Sequence, residues 1–453
     1  MAPRLGWKLR WRLSVLWILQ WGITGTILTY LPVYLTDSGL SATQQGQLMA
    51  ISAVGLWLAP FIVGQVTDRW MSSEKYLAIS HFIGGVTLLA LPVATKLFTA
   101  SEASFEVLLT LFGIYAVCYF PTVPVATALS FRHLPDADAQ FGKVRVWGTV
   151  GWMMAGFGFS LWLGGGQART WITEHFPATT DPLDSVASLL AWLPEPSTSD
   201  CFRIAALLSF ALSTFCIFLP ATPPSREPRG TIAPLEILRM FRQPTFSLLI
   251  GISFLLALVV PLYTLQVPRM LVQMGIENQW IPAVMLIGQI SEFPALLLLP
   301  LFLKRLGLKK TFAIGIGAWF VRYVVFALEG PMWLTLTALG LHGICHVFLI
   351  IVIQLYVDSQ CRADLRATGQ NLFMFITMGI GMPLGFLLGG ILGESCFNAE
   401  TSTTNYQVLF AIPAAFILLL LIAYQKWFRI EEAEDASIDE GHIEQPGIEP
   451  VTD

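Results

Sequence analysis

The sequence predicts an all-α membrane protein, with twelve transmembrane helices arranged as two six-helix halves. Three observations predict it. Of 453 residues, 55% are hydrophobic and only 12% charged, with a mean hydropathy of +0.66. A soluble domain carries roughly a quarter charged residues to cover its surface, so most of this surface meets something other than water. The apolar residues are gathered into runs of about 20, the helix length that crosses a hydrocarbon core about 30 Å thick. Lys and Arg, finally, fall in alternate connecting segments, as in a chain threaded back and forth through a bilayer.

The first run follows a basic start (Arg4, Lys8, Arg10, Arg12) and continues from Leu13 to Leu35. That is too long for a cleaved leader and is read as a retained span. Further spans are expected at 46–66, 76–98, 105–131, 144–165 and 203–220, then at 244–268, 280–303, 311–328, 333–356, 368–393 and 406–427. The halves are thus 1–220 and 244–430. Residues 221–243, rich in Pro and Arg (Pro223, Pro224, Arg226, Pro228, Arg229), read as a cytoplasmic linker. With the N-terminus inside, 20 of the 26 Lys and Arg lie in inner segments and four in outer ones, which puts both termini in the cytoplasm. The segment 431–453 holds nine acidic residues and no Lys or Arg, leaving 26 basic against 21 acidic residues in the remainder. Few apolar residues and two prolines predict a disordered acidic tail.

Composition also excludes functions. The six cysteines show no C-x-x-C spacing, and no redox role follows from them. No His or Asp cluster marks a membrane-surface loop, as an enzyme would require. The outer loop 166–202, with a short helix expected near 186–193, carries no chemical motif. No cofactor, metal or nucleic-acid partner is expected; the partners are the lipid bilayer and a small solute.

Chemistry is expected where polar groups enter the membrane, because a charge at the bilayer centre costs about 2.5–3.5 kcal/mol even on lenient insertion scales. Glu292 is the one carboxylate well inside an expected span, about mid-depth in the eighth, with Gln289 one turn before it. It reads as functional or as the buried partner of an Arg. Arg145, Thr149 and Trp152 stand at i, i+4 and i+7 of the fifth span and share a face. A cation, a hydroxyl and an aromatic plane suit a polar, ring-bearing ligand, although Arg145 lies near the inner end, where it could snorkel. Arg322 among Phe320, Tyr323 and Phe326 reads as helix packing or an ion pair. His342 and His346, four apart in the tenth span, could face one metal or form a pair that titrates near neutrality. His81 reads as a satisfied core histidine.

Two inner loops carry a further signal. Gly64, Asp68 and Arg69 form a G-x-x-x-D-R pattern after the second span, and Lys304-Arg305-Leu306-Gly307-Leu308-Lys309-Lys310 stands in the equivalent place of the second half. This pattern resembles the major facilitator superfamily. Within it, Arg145-Val146-Trp147-Gly148-Thr149-Val150-Gly151-Trp152 and Gln289-Ile290-Ser291-Glu292 resemble the nucleoside:proton symporter family of bacterial permeases. So do Tyr119-Phe120-Pro121-Thr122, the segment from Gly64 to His81, and Ala318 to Tyr323. The resemblance implies an inner-membrane importer that couples nucleoside uptake to proton entry by alternating access, and a monomer is expected. It implies substrate contacts from Arg145, Thr149, Trp152, Gln289 and Glu292, with Thr264 and His342 at further binding positions. Departures are equally specific. Pro261 and Thr264 replace an amide pair of the seventh span, and Val347 stands where the family carries an acid. Proton coupling then rests on Glu292, aided by His346. The altered spans also suit another cargo, such as a sugar or a nucleobase derivative, or an exporter.

Overall fold

Apolar stretches of this length form helices because lipid offers the backbone no hydrogen-bond partner, so each segment must satisfy its own. The computed structural model describes residues 5–61, 66–67, 70–98, 103–175, 195–224, 241–361 and 366–428. Gly64, Asp68 and Arg69, most of the linker, the segment 186–193 and the acidic tail lie outside those residues. Among the described residues, nine helical stretches are long and apolar enough to cross a membrane. One of them, 50 residues long, is broken at Gly307, whose φ of 71° lies outside the helical region. It therefore accounts for both the eighth and the ninth expected spans. The second and fifth expected spans fall on the broken helix 42–61 and on Ala137–His175. The sole sheet among the described residues is a two-residue hairpin pairing Phe397 with Thr404.

Side chains on the outer faces fit a lipid surround. Leu297 is 82% exposed and Ile217 79%, a cost no water-facing helix would sustain in such number. All six cysteines are free.

The chain divides into two compact units. The first comprises Met1–Arg229, Pro261–Leu286 and Phe386–Ser395. Its helices include α1 (Trp7–Leu28), α2 (Leu31–Asp37), α3 (Ala42–Ala50), α4 (Ala53–Phe61), α5 (Ser73–Phe98), α6 (Ala103–Tyr119), α7 (Thr122–His133), α8 (Ala137–His175) and α9 (Asp200–Phe215). Ser41 caps α3 through a reciprocal capping box with Gln44. In this unit α1 and α8 pack closely. A Cβ at Gly151 would lie 2.2 Å from the Ile18 carbonyl oxygen, and one at Gly25 would lie 2.5 Å from that of Trp152. Small residues let these backbones touch, which is how helices pack in lipid, where tails are as apolar as Leu. In the same unit the buried Gln266 donates to the Gly389 carbonyl.

The second unit comprises Gly230–Val260, Ile287–Gly385 and Cys396–Asp453. It contains α10 (Pro244–Ala257), most of α12 (Ile281–Ala327), α13 (Met332–Gly340), α14 (His342–His346), α15 (Val352–Gln360), α16 (Arg366–Met374) and α18 (Tyr406–Trp427). The two unit boundaries at 260–261 and 385–386 fall inside α11 (Val260–Gln273) and α17 (Met382–Ser395). Two wide π-helical turns, Val347–Ile351 after α14 and Phe375–Gly381 after α16, interrupt the regular ladder. Such turns tend to accompany functional positions.

The α1–α8 contact yields a stability test. Gly151→Ala forces a methyl group into the Ile18 carbonyl and is expected to destabilise the protein by about 1–3 kcal/mol. Gly158→Ala, on the same helix with open space around it, should be neutral or gain a few tenths from reduced chain entropy. Thermal melting of the detergent-solubilised variants checks both. Equal melting temperatures would mean that the crossing is loose.

Candidate functional site

Two polar clusters occupy otherwise apolar helices, one in each unit. The first is built on α8. Its register brings Arg145, Thr149 and Trp152 to one face, as the spacing predicts, with all three half-buried. Arg145 is drawn against the middle of α1, where its guanidinium lies 4.7 Å from the Trp17 ring and 4.5 Å from the Trp21 ring. Such contacts are worth about 0.5–2 kcal/mol, more when desolvated. Gly148 is what permits this. A Cβ there would lie 2.6 Å from both Arg145 Nη1 and Trp21 Cδ1, so the glycine of R-x-W-G makes room for the arginine to fold back along its own helix. Trp152 stands 6.0 Å from Trp21, tilted by 44°. Trp17 is fixed in turn by donating to Ser130 Oγ at 3.2 Å.

Beneath the indoles runs a buried polar network. Gln20 donates to Thr122 Oγ1 at 2.8 Å and receives a hydrogen bond from His81 Nε2 at 3.0 Å. Tyr119 donates to the Gln20 carbonyl at 2.5 Å and pairs with the Thr24 hydroxyl. His81 is thus a satisfied core histidine. The network ties α1, α5, α6 and α7 together. Burying several hydrogen-bonding groups is tolerable because each finds a partner.

The second cluster centres on Glu292 in α12. Its carboxylate oxygen Oε1 lies 3.5 Å from His342 Nε2 and 3.6 Å from His346 Nδ1. The two imidazoles are stacked, with centroids 5.7 Å apart. A backbone crossing sets this spacing. The Gly343 amide donates to Ser291 Oγ at 2.8 Å, and a Cβ on Gly343 would lie 2.0 Å from the Ser291 carbonyl oxygen. Ser291 and Gly343 therefore interlock the Q-I-S-E motif with H-G-I-C-H, which places Glu292 beside both histidines. Behind them Arg322, fully buried, donates from Nη1 to His342 Nδ1 at 3.0 Å and lies 5.2 Å from the Trp319 ring. Trp319 itself donates to the Cys345 carbonyl at 3.2 Å. His342, His346, Trp319, Phe373, Met378 and Thr377 line a cavity of about 80 Å³ in this unit.

Most of the expected site residues thus fall into one cluster or the other. Gln289 is half-buried one turn before Glu292, and Thr264, also half-buried, lies on α11 in the first unit. Among the described residues no group of three or more His, Cys, Asp and Glu is arranged to hold a metal ion. Sequence reading missed Trp17 and Trp21, although a Trp pair four apart flanking Gln20 on a greasy helix is a visible signal. It also missed the Arg322–His342 bond, because the two residues lie 20 apart on separate helices.

Comparison with known proteins gives a consistent result. A family model described as nucleoside H+ symporter matches residues 7–175 and 183–433. The putative nucleoside transporter YegT of Escherichia coli (strain K12) is 27% identical over 441 residues, covering 94% of this chain and 95% of its own length. The nucleoside permease NupG of the same organism is 27% identical over 451 residues, covering 93% and 96%. The crystal structure of the nucleoside transporter NupG superposes with a TM-score of 0.75 at 24% identity, covering 93% of this chain and all of that one. A D-xylose-proton symporter superposes at 0.63 with 12% identity, covering 92% and 97%. At such identities the superpositions speak for the fold, which is that of the major facilitator superfamily.

The arginine sandwich has a measurable consequence. Gly148→Ala should expel the guanidinium from Trp21 and reduce solute transport into vesicles about tenfold, or about 1.4 kcal/mol, as for one partly desolvated cation–π contact. Protein abundance in the membrane should be unchanged. Wild-type transport at equal abundance would mean that the sandwich does not set the position of Arg145.

Proposed function

Because the chain belongs to the nucleoside H+ symporter family, we propose that it imports nucleosides together with protons, with Glu292 as the group that carries the proton. The observation that supports this most is a carboxylate inside a membrane span with an imidazole nitrogen 3.5 Å and another 3.6 Å from one of its oxygens. An ionised acid is costly in hydrocarbon, and either a proton or a cationic neighbour relieves the cost. Both forms of relief are within reach at Glu292. Its ionisation can therefore be linked to whether the surrounding site is wet or dry, which is what coupling a proton to a conformational cycle requires.

In this reading Arg145, Thr149 and Trp152 contact the substrate. The guanidinium supplies in-plane donors to sugar or base oxygens while its faces rest on indoles, and Trp152 supplies a stacking surface. Gln289 hydrogen-bonds the substrate, and Thr264 offers a single hydroxyl where relatives by resemblance use amides. His346 lines the cavity and passes protons to and from Glu292. The protein works as a monomer in a bacterial inner membrane with both termini in the cytoplasm.

Labelled uridine or adenosine, offered to vesicles with and without an inward proton gradient, tests the proposal. Accumulation above the equilibrium level is expected only with the gradient, and initial uptake should rise as the outer pH falls, since the proton is a co-substrate. If neither nucleoside moves while a sugar does, the cargo assignment fails and the carrier assignment stands.

A further inference from the structure

The two histidines beside Glu292 are not equivalent, and Arg322 makes the difference. An arginine side chain carries five N–H donors and no acceptor. The 3.0 Å contact between Arg322 Nη1 and His342 Nδ1 therefore runs one way: Nδ1 must accept through its lone pair. A neutral imidazole has one N–H, so the proton of His342 must sit on Nε2, the nitrogen 3.5 Å from the Glu292 carboxylate. A second proton on Nδ1 would end the bond from Arg322 and set two positive groups face to face in a buried place. The side chain of His342 is only 9% exposed, and Arg322 is fully buried between Trp319 and Phe326. His346 differs on both counts. Its side chain is 40% exposed and lines the cavity, and the nitrogen it turns to Glu292 is Nδ1.

Among the described residues, the charged and titratable groups around His342 include Arg322 and Glu292 from α12 and His346 from its own span, with the Cys345 thiol also beside Arg322. Of these, Arg322 contacts Nδ1 in hydrogen-bonding geometry. We propose that Arg322 is a positioning residue for proton transfer: it locks His342 as a neutral Nε2–H donor to Glu292 and leaves His346 as the imidazole that exchanges a proton with the acid. The transfer balances simply. A proton arriving from water binds the free nitrogen of His346, the Nδ1 proton moves to Glu292 Oε1, and neutral His346 with a protonated acid remains. Release reverses the order. His342 keeps its Nε2–H toward the acid throughout and takes no proton. This inference rests on the reading of Glu292 as the proton carrier.

Nitrogen-15 spectroscopy of histidine-labelled protein reads the tautomer directly, with His342→Gln used only to assign the His342 signal. In the unaltered protein His342 should stay neutral and protonated on Nε2 between about pH 5 and 8, while His346 titrates in that range. In Arg322→Met, a similar length with no donor, His342 should begin to titrate in the same window, and the pH profile of nucleoside uptake should gain a second ionisation. Arg322→Lys, which keeps a cationic donor, should restore a single ionisation. The lock is overturned if His342 titrates or carries its proton on Nδ1 in the unaltered protein. It is equally overturned if Arg322→Met leaves His342 neutral on Nε2. Since the first observation needs no variant at Arg322, misfolding of Arg322→Met would not shield the proposal. Proton-driven accumulation that survives in Glu292→Gln would instead overturn the underlying reading, whatever the tautomer of His342.

Discussion

The burial of one carboxylate in a membrane span is the constraint on which the rest of this structure depends. Taking an ionised acid out of water costs several kcal/mol after relaxation, and removing a partner from such a group is correspondingly severe. At Glu292 in α12 two imidazoles stand within reach of one carboxylate oxygen. Those imidazoles are there only because Gly343 lets α14 rest its backbone on Ser291. Arg322 then fixes the inner ring from behind. A charge, a crossing and a donor form one chain of cause, and altering any link changes the cost of keeping the acid where it is.

The first unit solves a related problem with different chemistry. Arg145 is also a charge in an apolar helix, but its described neighbours are the faces of Trp17 and Trp21. A planar, weakly hydrated guanidinium tolerates this far better than an ammonium would. The cation is thus held between two indole rings. Gly148 and Gly151 serve the two halves of that arrangement: one clears space for the guanidinium, the other brings α8 onto α1.

Much of the fold was legible in the sequence, because lipid simplifies the rules. Apolar runs of sufficient length and alternating basic loops leave few architectures, and the described helices cover the expected segments, although α8 runs on to His175, ten residues into the expected outer loop. The break at Gly307 was foreshadowed by a basic loop carrying a glycine. The site was partly legible. Helical spacing alone put Arg145, Thr149 and Trp152 on one face, and rarity alone singled out Glu292. Arg145 was harder, since hydropathy gives depth only to within several residues. Contact with Trp17 and Trp21 places it against the middle of α1, away from the helix start. The relation of Arg322 to His342 was not legible at all, because periodicity describes one helix at a time and this bond joins two. The unusual turns after α14 and α16 have no sequence signature in side-chain type.

The central claim is that Glu292 carries the coupled proton. Its most direct test is the pH of a lightly buffered medium when nucleoside is added to vesicles containing the wild-type protein or E292Q. The account predicts prompt alkalinisation of the medium with wild type and none with E292Q, even where that variant still exchanges nucleoside across the membrane. Alkalinisation by E292Q equal to that of wild type would contradict it.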